Sequence, residues 1–103
     1  MRSLGCLVLA FAIGCQGDPQ KCETAIRNYA TLVYWKKTDV EIAAVPPEKR
    51  DELRKQKLAE FTAQMEKGLQ TLVSQCVSAN NKDQVKCMTE AKTAEEATDC
   101  SGH

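Results

Sequence analysis

The chain has 103 residues, 43% of them hydrophobic and 27% charged, and its 14 basic residues balance 14 acidic ones. Residues 1–14 contain one charged residue, Arg2, so their removal leaves 13 basic and 14 acidic residues, a net charge of −1. Nucleic acid and anionic membrane surfaces both require a basic excess in the protein that binds them. This balance therefore argues against either one as the main partner, and the length allows one domain at most.

The first 14 residues have the layout of a signal peptide. Arg2 supplies a positive charge, and about ten mostly apolar residues follow it over 4–13. A run of this length cannot span a bilayer, which takes roughly 20 apolar residues. The sequence therefore predicts that residues 1–14 direct export and are removed.

Two cleavage sites compete, and the number of cysteines favours one of them. Cleavage after Ala12 follows the small-x-small rule for ordinary secretion but leaves five cysteines, an odd number. Cleavage before Cys15, in a stretch AIGC that resembles the bacterial lipobox, leaves four cysteines to pair once Cys15 carries a lipid. We therefore predict a lipidated tether over 15–18 and attachment to the cell membrane. Gln16 favours the periplasmic face of the outer membrane, because Asp in that position retains enterobacterial lipoproteins in the inner membrane; a secreted protein is the alternative.

Apolar periodicity and capping signals predict a single all-α domain over residues 19–103. We expect an antiparallel hairpin of two long helices and then two short helices, over about 19–39, 47–79, 82–92 and 94–100. Asp18 is the predicted N-cap of the first helix, and Thr93 with Glu96 forms a capping box before the last. The predicted buried stripe of the second helix comprises Leu53, Leu58, Phe61, Met65, Leu69, Leu72, Val73 and Cys76.

Two residues of the long helices allow alternative interpretations. Trp35 either packs under an apolar connector over 40–45, which we favour, or forms an exposed patch with Ile42 and Val45 for a partner. Gly68 costs roughly 1 kcal/mol of helix stability relative to Ala. Either a close approach of the first helix requires this glycine, or the helix simply tolerates it.

Six cysteines in so short a chain indicate an oxidising compartment. Their spacing fits no zinc site, since the chain has no Cys-x-x-Cys and its one histidine is His103. The cysteines predicted to pair allow three connectivities and are Cys22, Cys76, Cys87 and Cys100.

Helical geometry favours one of these connectivities. Ala91 shares a helix face with Cys87, and Ala97 shares one with Cys100, so the two short helices can approach to disulfide distance. That pairing leaves Cys22 with Cys76, which joins the start of the first helix to the end of the second. The second helix outruns the first, however, so Cys22–Cys87 with Cys76–Cys100 remains the alternative.

The lipobox-like stretch, one cysteine soon after it, and the later spacing Cys-x10-Cys-x12-Cys with an Ala-Lys-Thr junction together resemble small cysteine-bearing lipoproteins common in myxobacteria and their relatives. The resemblance covers most of the chain after Cys15. It departs at Asn80-Asn81, where many such proteins have Trp-Ser. It implies a helical, disulfide-linked fold and an envelope location rather than an activity.

The chain shows no catalytic constellation, so we predict that it is not an enzyme and needs no cofactor or metal. The terminal His103 offers no positioned base, and carboxylates such as Glu95 and Glu96 belong to solvated helix faces. We predict a lipid-anchored helical binding module whose partner is another envelope protein. The alternatives are a secreted inhibitor or immunity-type protein, and a carrier of an apolar ligand in a cavity lined by Phe61 and Met65.

Overall fold

The computed structural model describes residues 17–102 and confirms an all-α fold. Within that range it has four α-helices and no strand: α1 Pro19–Ala43, α2 Pro47–Ala79, α3 Lys82–Glu90 and α4 Ala94–Asp99, followed by a 3₁₀ turn, Cys100–Gly102. The predicted signal peptide and the predicted lipidation site, Cys15, lie outside the described residues.

Helix α1 is longer than the sequence predicts, because its last carbonyl groups are capped from α2. The Arg50 guanidinium donates hydrogen bonds to the Ala43 oxygen, at 3.0 Å, and to the Val45 oxygen, at 3.0 Å. Residues 40–43 are thus the final turn of a helix and not a connector. Helix α3 ends two residues earlier than predicted, at Glu90, because Ala91 is extended.

Helix α1 is the central element of the fold. It packs against α2 on one side and against α3 and α4 on another, whereas within residues 17–102 α2 packs against α1 alone. The core between the two long helices is built on Ile26, Met65 and Leu69, with half-buried Ala30, Phe61, Val73, Cys76 and Met88 around it. The two short helices therefore extend the bundle from α1 rather than closing it over α2.

The predicted buried stripe of α2 is too broad. Leu58 is 52% exposed and Leu72 is 45% exposed, although both have the spacing of core residues. Because α2 has one packing partner, it buries a narrow strip, and side chains at the edges of that strip remain in solvent. Met65 and Leu69, near the middle of the strip, are buried as predicted.

The preferred disulfide connectivity is confirmed. Cys22 is bonded to Cys76 with a Cα–Cα distance of 5.9 Å, and Cys87 is bonded to Cys100 with a Cα–Cα distance of 5.7 Å. Helix α2, with 33 residues, still outruns α1, with 25, so the Cys22–Cys76 disulfide forms despite the difference in length. One disulfide therefore fastens the ends of the two long helices, and the other fastens the two short ones.

Gly68 is a tolerated glycine rather than a point of close approach. A Cβ atom built on it would meet nothing within 4 Å, and its backbone is helical. Gly68→Ala should therefore raise the free energy of unfolding by about 1 kcal/mol, the difference in helix propensity. Urea denaturation measures this change, and a destabilised variant would contradict the open space seen here.

Candidate functional site

The start of the domain is fixed against the end of α2. The Gly17 amide donates a hydrogen bond to the Val77 oxygen at 3.1 Å, and the Asp18 carboxylate caps α1 by accepting from the Gln20 amide at 2.8 Å. A Cβ atom on Gly17 would lie 3.2 Å from the Val77 Cα and 3.3 Å from its oxygen, closer than ordinary contacts. Only glycine fits here without a shift, so the chain enters the domain at a fixed point.

A groove of about 1090 Å³ lies beside this entry point, between the start of α1 and α3. Its rim carries three lysines, Lys21, Lys82 and Lys86, together with the carboxylates of Asp18 and Glu90. Because both signs of charge line the groove, and the Asp18 carboxylate already caps α1, the groove has no marked preference for an anion or a cation.

The predicted partner patch is not assembled as one surface. Ile42 is only 2% exposed and belongs to the core, so its side chain is not available to a partner; Val45 is half-buried. The cause is the extra turn of α1, which carries Ile42 into the helix interface. The favoured packing under a connector is wrong as well, because residues 40–43 are helical.

Trp35 belongs instead to a short row of aromatic rings. Its ring meets the Tyr34 ring edge-on at a centroid distance of 5.2 Å, and the Tyr34 ring lies 4.6 Å from that of Phe61. The Tyr34 hydroxyl donates to the Lys57 oxygen at 2.9 Å, which ties this row to the backbone of α2. The Trp35 side chain is half-buried, so part of it remains exposed to solvent.

An exposed apolar strip that the sequence analysis missed lies on α1. Val40 is 70% exposed, and Val33, one heptad earlier, is also exposed. They line a shallow groove of about 550 Å³ between α1 and α4, with Ala94 and Thr98 on the α4 side. The seven-residue spacing of Val33 and Val40 was the available signal, but the predicted end of the helix at residue 39 concealed it.

Ion pairs tie the helices together at the surface. Lys36 pairs with Glu95 across α1 and α4, and Arg54 pairs with Asp39 at 3.2 Å across α1 and α2. The hydrogen bond and charge of the Glu41 carboxylate, 3.0 Å away, raise the pKa of Lys57. These pairs are largely exposed and screened by solvent, so each contributes little stability. Because these side chains are already paired, their charges are less available to a binding partner.

Among residues 17–102 no group of three histidine, cysteine or acidic side chains is placed to hold a metal ion. None of the helices in this range is long and apolar enough to cross a membrane. Comparisons with protein-family models, with curated proteins and with solved structures found no match to the chain.

Proposed function

We propose that the protein is a non-enzymatic, lipid-anchored lipoprotein of the bacterial cell envelope that acts as a small helical binding module. The observation that supports this most is the fixed entry of the chain at Gly17, two residues after the proposed lipidation site at Cys15. A tether this short would hold the folded domain close to the lipid and therefore to the membrane surface.

The fixed entry at Gly17 also gives the anchored domain an orientation. Gly17 lies at the end of the bundle that holds the Cys22–Cys76 disulfide, and the Val45-Pro46-Pro47 turn lies at the opposite end of the hairpin. Helix α1 has 25 residues, so it spans about 37 Å at 1.5 Å per residue. An anchored domain would thus hold its turn well away from the bilayer and present its helix faces laterally to an envelope protein.

The two alternatives remain a secreted inhibitor or immunity-type protein and a carrier of an apolar ligand. The carrier needs Phe61 and Met65 to line a cavity. Met65 instead packs with Ile26 and Leu69 in the core, and Phe61 lies against the Tyr34 ring. These contacts favour the binding module over the carrier.

The intact mass of the protein purified from its host membranes tests the proposal. We expect a chain that begins at Cys15 and carries acyl groups, with four thiols that react with an alkylating reagent only after reduction. Expression of Cys15→Ser should move the protein from the membrane to the soluble fraction, whereas Ser74→Ala, on the exposed face of α2, should not.

A lipid-free chain that begins at Ile13 would overturn the anchor. It would also leave five cysteines, one of them unpaired. The secreted inhibitor would then become the better proposal.

A further inference from the structure

The groove between α1 and α4, which we call the valine groove, is lined by apolar side chains and by side chains of both charges. Val33 and Val40 lie on α1, and Ala94 lies on α4. Lys37 lines the groove from α1 and Asp99 lines it from α4, and neither side chain takes part in an ion pair or a hydrogen bond within residues 17–102. Lys36 and Glu95, also in the groove, pair with each other.

We propose that a second copy of this chain occupies the valine groove, about a two-fold axis parallel to α1. In a symmetric dimer the same patch must complement itself. An axis parallel to α1 brings α1 of each copy opposite α4 of the other, so that Lys37 faces Asp99 and the exposed valines face Ala94 and Thr98. Both unpaired charges and the exposed apolar strip are then satisfied by a single contact.

The charges select this axis over the other one that could bring two grooves face to face. An axis running across the groove, perpendicular to α1, would bring Lys37 opposite Lys37 and Asp99 opposite Asp99. Like charges so placed repel, which opposes that arrangement. It would also run the two copies in opposite directions, with their Gly17 ends apart.

The axis selected by charge is also the one that a membrane permits. With the axis parallel to α1, both Gly17 ends point the same way, so two lipids on Cys15 can enter one bilayer. This inference therefore rests on the proposed lipid anchor. Eight residues line the groove, against about 20–30 on each side of a stable interface, so free copies in solution should pair only weakly. Confinement to one membrane raises the effective concentration and makes a weak contact sufficient.

Zero-length cross-linking in membranes tests the dimer. A carbodiimide activates a carboxyl group, a lysine amine displaces the urea that forms, and an amide bond joins the two side chains. We expect a cross-linked dimer in native membranes whose linked peptides contain Lys37 and Asp99. Dilution of the protein in detergent should abolish the dimer.

Matched substitutions decide whether the groove makes the contact. Val40→Asp should lower the dimer fraction about tenfold, because it places an unpaired carboxylate in the contact. Leu58→Asp, an equal change at another exposed apolar side chain, should leave it unaltered. The double variant Val40→Ser with Val33→Ser, measured by the same cross-linking, should also reduce the dimer fraction, without added charge.

Exchange of the two charges gives a second, independent experiment. The dimer is detected here with a cross-linker that joins pairs of lysines outside the groove. Lys37→Asp alone and Asp99→Lys alone should each reduce the dimer, and the two together should restore it.

Three results would overturn the dimer: equal dimer in Val40→Asp and the unaltered protein, cross-links to a protein of another mass at the groove, or monomer alone in membranes. The intact mass separates this failure from failure of the anchor. A monomer that carries lipid would remove only the dimer, whereas a lipid-free chain would remove both proposals.

Discussion

Replacing Cys22 and Cys76 together by alanine should lower the free energy of unfolding by about 4 kcal/mol. The two cysteines are 54 residues apart, and cross-linking a loop of that length restricts the unfolded chain strongly. Whole domains of this size are stabilised by about 5–15 kcal/mol, so the variant should be marginal. Urea denaturation at 25 °C, with linear extrapolation to water, measures the loss.

The second disulfide supplies a matched control. Cys87 and Cys100 are 13 residues apart, so their replacement by alanine should cost about 3 kcal/mol by the same argument. The order of the two losses matters more than their size. A larger loss for the short loop would contradict chain entropy as the main cause, and a loss below about 1 kcal/mol for the long one would show that packing alone holds the helices.

The architecture also predicts where the first variant opens. Since α2 packs against α1 alone, the loss of Cys22–Cys76 should free the end of α2, while α3 and α4 stay attached to α1. Hydrogen exchange should then show lost protection over residues 66–79 before residues 82–99. Simultaneous loss in both segments would mean that the domain unfolds as one unit.

Local signals in the sequence predict the elements of this fold well, because their physics lies within a few residues. Asp18 caps α1, and the Thr93 hydroxyl accepts from the Glu96 amide at 3.1 Å, as expected of a capping box. The Glu96 carboxylate reaches back one residue further than the simple motif, to the Lys92 amide at 2.7 Å. The disulfide pairing was accessible for a related reason, since Ala91 and Ala97 mark close approach of short helices.

The arrangement of the helices was not accessible, because periodicity does not reveal how many neighbours a helix has. Leu58 and Leu72 look like core residues in the sequence and are exposed, since only α1 covers α2. The end of α1 was missed because the group that caps it, the Arg50 guanidinium, lies beyond the turn. The same error placed Ile42 in a surface patch and hid the valine groove.

Asn28 is the residue for which sequence reasoning had no signal, because its partners lie about 60 residues away. The Asn28 amide nitrogen donates to three carbonyl oxygens at the end of α3, those of Met88 at 2.8 Å, Ala91 at 3.0 Å and Thr89 at 3.3 Å. The carbonyl groups at the end of a helix have no partner within the helix. Asn28 thus caps α3 from α1 and fixes the position of the short helices.

Asn28→Ala should cost about 2 kcal/mol, because it removes these hydrogen bonds and leaves partly buried carbonyl groups without a donor. Asn28→Asp should cost about 3 kcal/mol at neutral pH, since it replaces the donor by a carboxylate of the same shape facing carbonyl oxygens. Gln70→Glu is the control: it makes the same amide-to-carboxylate change on the exposed face of α2 and should cost far less.

The pH dependence of Asn28→Asp separates lost packing from charge repulsion. The carbonyl oxygens and the negative end of the α3 dipole disfavour the charged carboxylate, so the pKa of the introduced group should be higher in the folded than in the unfolded protein. A group of this kind contributes stability below its unfolded pKa and loses it as the pH rises through its folded pKa. In acid, the free energy of unfolding of Asn28→Asp should therefore approach that of Asn28→Ala. The loss in Gln70→Glu, measured at each pH, is the reference. A constant difference between the two variants would show that the Asn28 site is open enough to solvent to accept a charge.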